Sequence, residues 1–173
     1  MNIPFVIRNT PYVIQYLYYG TLFTSSMQST ITASGTLYMQ GKTGTDRLIH
    51  FLSLQFSHNG TDVSFEIYED PTFTADGTAL VSAINQNRES IKTAQWTAYS
   101  DPPIPTAGGT LISRDRIFGS SGGVGQSVSA AALTIAGIER IMKKDTDYSL
   151  KIINNAAIDT TFLVNWQWYE SGN

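Results

Sequence analysis

Thr160-Thr161-Phe162-Leu163-Val164-Asn165-Trp166-Gln167-Trp168-Tyr169-Glu170 is the stretch that decides the fold class. Side chains along a strand alternate between its two faces. That rule puts Phe162, Val164, Trp166 and Trp168 together, with Leu163, Asn165, Gln167 and Tyr169 opposite. A face with two tryptophans, a phenylalanine and a valine is a core face. One dry and one wetter face is the signature of an antiparallel sheet.

The same period recurs upstream. Arg47 to Phe56 aligns Leu48, His50, Leu52, Leu54 and Phe56. Thr61 to Tyr68 aligns Val63, Phe65 and Ile67, and Thr93 to Tyr99 aligns Ala94, Trp96 and Ala98. Tyr148 to Ile153 aligns Tyr148, Leu150 and Ile152. Ser25 to Ser34, Gly35 to Tyr38, Ala79 to Ile84 and Thr110 to Phe118 read as further strands. Ser57-His58-Asn59-Gly60 reads as a hairpin turn, because Asn-Gly favours tight primed turns. Such a hairpin would bring His50 and His58 near one another.

Pro11 to Phe23 is rich in aromatic and β-branched residues. It reads as one or two buried strands, or as an arm that docks on a neighbouring subunit. The arm reading makes Tyr12, Tyr16, Tyr18, Tyr19 and Phe23 candidate capsid or subunit contacts. Val128 to Met142 is ambiguous: Ala130-Ala131-Ala132 could open a helix, but Thr134, Ile135 and Gly137 weaken it. Strand pieces are the expectation there.

Many short strands with turn signals between them predict an antiparallel β-sandwich, jelly-roll-like, with an N-terminal strand or arm. The length of 173 residues suits one domain. Within it, 1–46 forms the arm and first strands and 47–173 the main sandwich.

Two stretches look like copies of each other. Tyr68-Glu69-Asp70-Pro71 runs on to Ala75-Asp76-Gly77-Thr78, and Tyr99-Ser100-Asp101-Pro102 runs on to Ala107-Gly108-Gly109-Thr110. Proline has no N–H for a ladder and pushes the preceding residue out of helical geometry. Asp70-Pro71 and Asp101-Pro102 are therefore strand-ending corners, and Asp76-Gly77 or Gly108-Gly109 then turns the chain. Glu69, Asp70 and Asp76 invite a calcium reading. The second copy lacks the matching carboxylate, so turn chemistry explains both corners and no metal is expected.

Composition narrows the function. Charged residues are 14% and the formal net charge is −3, so there is no basic footprint for nucleic acid. The absence of cysteine excludes disulfides, thiolate catalysis and Cys-ligated metals. No run approaches the ~20 apolar residues of a membrane span, and Met1 to Phe5 lacks the basic start of a signal peptide.

Several motifs tempt. Gly119-Ser120-Ser121-Gly122-Gly123 has the spacing of a nucleophile elbow at Ser121, but Gly125-Gln126-Ser127 follows instead of an immediate helix. Gly41-Lys42-Thr43 lacks the glycine five residues upstream that a phosphate loop requires, since Thr36 stands there. Trp96, Trp166 and Trp168 could form a sugar-stacking platform, but two of them share the core face. Asn59-Gly60-Thr61 has the glycan-acceptor pattern and reads as a turn.

The block Val63 to Leu80, with its acidic corner and Ala75-Asp76-Gly77-Thr78 turn, resembles small virion proteins of tailed bacteriophages and prophages. The polar loop Asn85-Gln86-Asn87-Arg88-Glu89-Ser90, the second Asp-Pro corner and the Gly119–Gly125 loop add to the likeness. So do Asp147 to Asn155 and Trp166 to Glu170. The resemblance covers about residues 47–170. It implies a β-sandwich that decorates or cements a capsid, often as a trimer, assembled in the bacterial cytoplasm. The major capsid protein would be the partner. It supplies no catalytic residues, so a non-enzymatic protein without cofactor is expected. A carbohydrate- or receptor-binding module of a phage tail or fibre is the alternative.

Overall fold

Trp168, Phe162 and Val164 sit at the centre of the core, each no more than 1% exposed, on the strand whose alternation is clearest in the sequence. The computed structural model describes residues 12–59, 62–118 and 139–172. After helix α1 (Tyr12–Tyr18) come β1 (Leu22–Ile31), β2 (Thr36–Lys42), β3 (Arg47–His58) and β4 (Asp62–Glu69). The short strands β5 (Ala79–Val81), β6 (Ile84–Asn85) and β7 (Thr97–Ser100) follow. The chain closes with β8 (Thr110–Phe118), β9 (Arg140–Met142), β10 (Asp147–Asn154) and β11 (Thr160–Gly172).

The two sheets run β6-β1-β11-β3-β9 and β5-β7-β2-β10-β4-β8. All their pairings are antiparallel. Four of these are nested: β1 with β11, β2 with β10, β3 with β9 and β4 with β8. Alternate pairs go to opposite sheets. A long hairpin rolled up this way is a jelly roll, and the all-β sandwich expectation holds. Strands β5, β6 and β7 belong to an insert, Asp70 to Gly109, between β4 and β8.

The sequence expectation fails in four places. The Pro11–Phe23 segment, expected as one or two strands or an arm, forms α1 over Tyr12–Tyr18, which stops at Gly20 (φ 65°), and enters β1 only at Leu22; Pro11 lies outside the described residues. Gly20 N–H donates to Leu17 O at 3.0 Å and Thr21 N–H to Tyr16 O at 2.9 Å, which is a Schellman cap. Residues four apart share a helix face as readily as they share a strand face, so this spacing does not separate the two.

Asn59-Gly60 does not close a hairpin, because β3 and β4 lie in different sheets. Asn59 instead receives the Thr161 N–H on its side-chain oxygen at 2.8 Å and pins the start of β11. His50 and His58 therefore lie on the same strand, about 25 Å apart at ~3.3 Å per residue.

The even positions of β3 do not share one face. The register against β11 shifts between Gln167 and Trp168, leaving Leu52 as the extra residue. Such a bulge swaps the faces. Phe56 is buried in the core on one side of it and Ile49 on the other, while His50 turns outward to Tyr169.

Residues 93–96 do not pair in a sheet. Glu170, 1% exposed, takes the amides of Gln95 at 2.7 Å and Trp96 at 3.3 Å on one carboxylate oxygen. That oxygen also receives the Trp168 indole N–H at 3.2 Å, and the other meets Arg47 at 3.1 Å. Trp96 and Ala98 still face the core as their spacing predicts. Trp96 lies over Gly41, where any Cβ would collide with its ring. The ambiguous Val128–Met142 segment shows strand at Arg140–Met142. Its earlier part, with Ala130 to Ala132, lies outside the described residues.

Candidate interaction surface

The two Asp-Pro corners form the neck of the insert. β4 and β8 are neighbours, with Glu69 opposite Thr110, so the insert leaves and returns at one place. Asp70 (φ 58°) and Asp101 (φ 49°) both take the left-handed conformation. Asp tolerates it better than most residues. The corners also lock into each other. Thr72 N–H donates to Ala107 O at 2.9 Å and Thr106 N–H to Thr72 O at 2.8 Å. A Cβ on Gly77 would come within 2.5 Å of Ser100 O, and one on Gly109 within 2.7 Å of Pro71 N. Each glycine therefore lets its own corner approach the other.

Charges complete the neck. Lys42 Nζ is 2.5 Å from Asp76 Oδ1 and 3.9 Å from Asp147. Gln40 holds the same turn, receiving the Gly77 N–H at 3.1 Å. The Lys42 hydrogen bond holds the Asp76 carboxyl below the usual range. Lys143 does the same for Glu69 through their ion pair. Burial pushes Asp147 upward. Among the described residues no group of three or more His, Cys, Asp or Glu could hold a metal ion. The corners are joints.

The neck carries the insert round to the start of the chain. β7 joins the β2 edge and β6 the β1 edge. The polar loop after β6 grips the end of α1. Asn85 Nδ2 donates to Gly20 O at 2.9 Å, Ser90 Oγ to the same oxygen at 3.3 Å, and Lys92 Nζ to Tyr19 O at 2.7 Å. The loop shapes itself with Asn side chains: Asn85 and Asn87 each accept the amide two residues on. Around this junction stand exposed apolar groups: Ile14, Tyr18 (67%), Tyr19, Ile84 and Ile91 (97%).

The five aromatic candidates separate here. Tyr18 and Tyr19 stand on the exposed junction. Tyr12 opens α1. Phe23 is buried at 1% and stacks on Trp168, so it supports the surface from within and cannot touch a partner. Tyr16 stacks on Tyr169 at 3.7 Å, and Tyr169 on His50 at 4.3 Å. Ile84 and Ile91 were not legible as surface anchors, because isolated isoleucines in a polar loop carry no period. The Asn-rich loop that presents them was visible.

Beneath that ring column lies a relay. His50 Nε2 is 2.7 Å from Ser171 Oγ, and His50 Nδ1 pairs closely with Glu139. Serine, imidazole and carboxylate in that order are the elements of a hydrolase triad. The Glu139 oxygen that meets His50 also accepts the Tyr169 hydroxyl at 2.6 Å. That bond, then His50, keeps Glu139 in its charged form. Ser171 and His50 line neither the cavity between the sheets nor the polar pocket at Gln55 and Gln167. The Glu139 carboxylate ties β3 to β11, and the stacking of Tyr16 on Tyr169 adds α1.

Ser121 and the Gly119–Gly125 loop lie outside the described residues. Trp96, Trp166 and Trp168 are 9%, 4% and 0% exposed, so they form no stacking platform. No helix among the described residues is long and apolar enough to cross a membrane. No protein-family model matches the chain, and no curated protein matches it.

Proposed function

We propose that the protein is a non-enzymatic structural component of a phage virion that decorates the capsid and binds between capsid subunits. The observation that carries this reading is the junction of α1 and the insert loop. Tyr18, Tyr19, Ile84 and Ile91 are exposed there on a backbone held by side-chain hydrogen bonds. Aromatic and aliphatic anchors on a pre-organised support are what a protein interface needs. The resemblance of residues 47–170 to small phage virion proteins names the partner class, the major capsid protein. Jelly rolls are frequent in viral shells, though fold alone does not give function.

The mechanism is linkage. A protein that binds only the assembled shell stabilises it by mass action. Placement at a three-fold axis would favour a cyclic homotrimer. Burial of all three tryptophans leaves the glycan-binding alternative without a tryptophan platform. The test is to mix the purified protein with undecorated heads and image the particles. Ordered density between capsid subunits is expected; bare shells overturn the reading.

A further inference from the structure

A cavity of about 100 Å³ lies between the sheets, with Met39, Phe51, Leu54, Ile67 and Leu150 among its walls. Seven side chains with polar atoms share that lining: Gln40, Ser53, Tyr148 and Ser149, with Trp96 from the insert, Trp166 from β11 and Arg140 from β9. Arg140 stands opposite Phe51 in the β3–β9 ladder. Directly paired residues project from the same face of a sheet, so Arg140 points inward with Phe51. The next residue, Ile141, is 57% exposed.

Among the described residues, Trp96 Nε1, Trp166 Nε1, Arg140 Nη1 and Ser149 Oγ are buried in this lining without a hydrogen-bond partner. Native interiors pair nearly all such groups, and each exception needs a reason. The two indoles and the guanidinium only donate, the guanidinium is always charged, and the Ser149 hydroxyl can turn its proton away from a ligand or toward it. Among the described residues the lining contains no Asp or Glu, and Glu69, outside the lining, acts on Arg140 through its charge without a hydrogen bond. Trp168, by contrast, gives its indole N–H to Glu170.

We propose that this cavity binds a small carboxylate with an apolar body. The carboxylate oxygens accept charge-assisted bonds from Arg140 and neutral ones from the two indoles. The hydrocarbon part fills the space between Met39, Leu54 and Leu150. An apolar cavity of about 150 Å³ accommodates benzene, so this smaller one takes an aliphatic acid of a few carbons. An inward charge on a short edge strand also discourages edge-to-edge pairing. That role alone needs no ligand. The site does not depend on the capsid reading.

The three tryptophans give three indole N–H signals in a ¹⁵N-correlated NMR spectrum of the full chain. Butyrate is the probe. Titration is expected to move the Trp96 and Trp166 signals and leave Trp168 in place. The neutral analogue 2-pentanone should bind about tenfold more weakly or worse, for want of the charge-assisted bond. Arg140→Met should lose the butyrate response while keeping the dispersion of a folded spectrum. No movement at millimolar butyrate, or equal movement of all three signals, overturns the proposal. Equal binding of 2-pentanone by the unaltered protein overturns it too, whether or not the variant folds.

Discussion

Gly109 lies against Asp70 so closely that a Cβ on Gly109 would sit 2.8 Å from the Asp70 carbonyl carbon. The contact joins the two ends of the insert, and Gly109 meets it at a φ of 71°, which side chains resist. Gly109→Ala therefore combines backbone strain with overlap against backbone that cannot swing away. The expected loss is at least about 2 kcal/mol in urea unfolding. Gly108 has nothing within 4 Å of a built Cβ, so Gly108→Ala is the control and should change little. Equal effects would show that the neck is not a tight joint.

Glu170 is the second joint, since it ties the insert to β11 through the Gln95 and Trp96 amides. Removing the carboxylate strands those donors, the Trp168 indole and the Arg47 guanidinium. Breaking a buried charged network by deleting one member costs about 3–5 kcal/mol. Glu170→Ala should approach that range in chemical denaturation. Glu170→Gln keeps one acceptor oxygen and should cost less. An alanine variant as stable as the parent would remove Glu170 from this role.

Acid should loosen the neck and the ring column. Asp76 is held low by Lys42, Glu69 by Lys143 and Glu139 by the Tyr169 hydroxyl. A carboxyl whose folded pKa is depressed stabilises above its unfolded value, near pH ~4, and loses that contribution as pH falls through the folded value. Thermal stability should decline from about pH 5 downward. Asp147 runs the other way: burial raises its pKa, so its contribution is present in acid and fades as pH rises. Asp147→Asn should therefore steepen the acid decline and cost little at neutral pH. A melting temperature flat from pH 5 to pH 2 would contradict the assignment.

Alternation in β11 was legible because β11 lies inside its sheet, keeps an unbroken register against β1 and leaves the bulge to β3, so its core residues Phe162 to Trp168 stay on one face. β3 was half legible. Its bulge at Leu52 depends on the partner strand, and Leu48 to Phe56 is apolar enough on both faces to fit either side. Residues 93–96 kept their facing without their pairing, because a side chain far along the chain took the amides. The Asp-Pro corners were readable as strand ends. Their mutual packing was not, since it needs the long-range β4–β8 pairing that brings Glu69 opposite Thr110. Tyr18 and Tyr19 were readable as aromatic, and only the helix shows which tyrosines face out.

The junction of α1 and the insert loop gives the sharpest functional prediction. Tyr18 and Ile91 are 67% and 97% exposed, so replacing them removes apolar surface without opening the core. Tyr18→Ser with Ile91→Ser should leave the melting temperature within a few degrees, as surface changes do. Central anchors of an interface cost about 2 kcal/mol or more each when truncated. The double variant should therefore bind undecorated heads at least tenfold more weakly, measured by co-sedimentation over a range of protein concentrations. Leu163, at 36% exposure on the outer face of β11, supplies the comparison. Leu163→Ser should retain binding if the junction is the contact. A shell that binds the double variant as well as the parent would move the contact elsewhere on the molecule, with Phe118 and Ile104, both exposed, next in line.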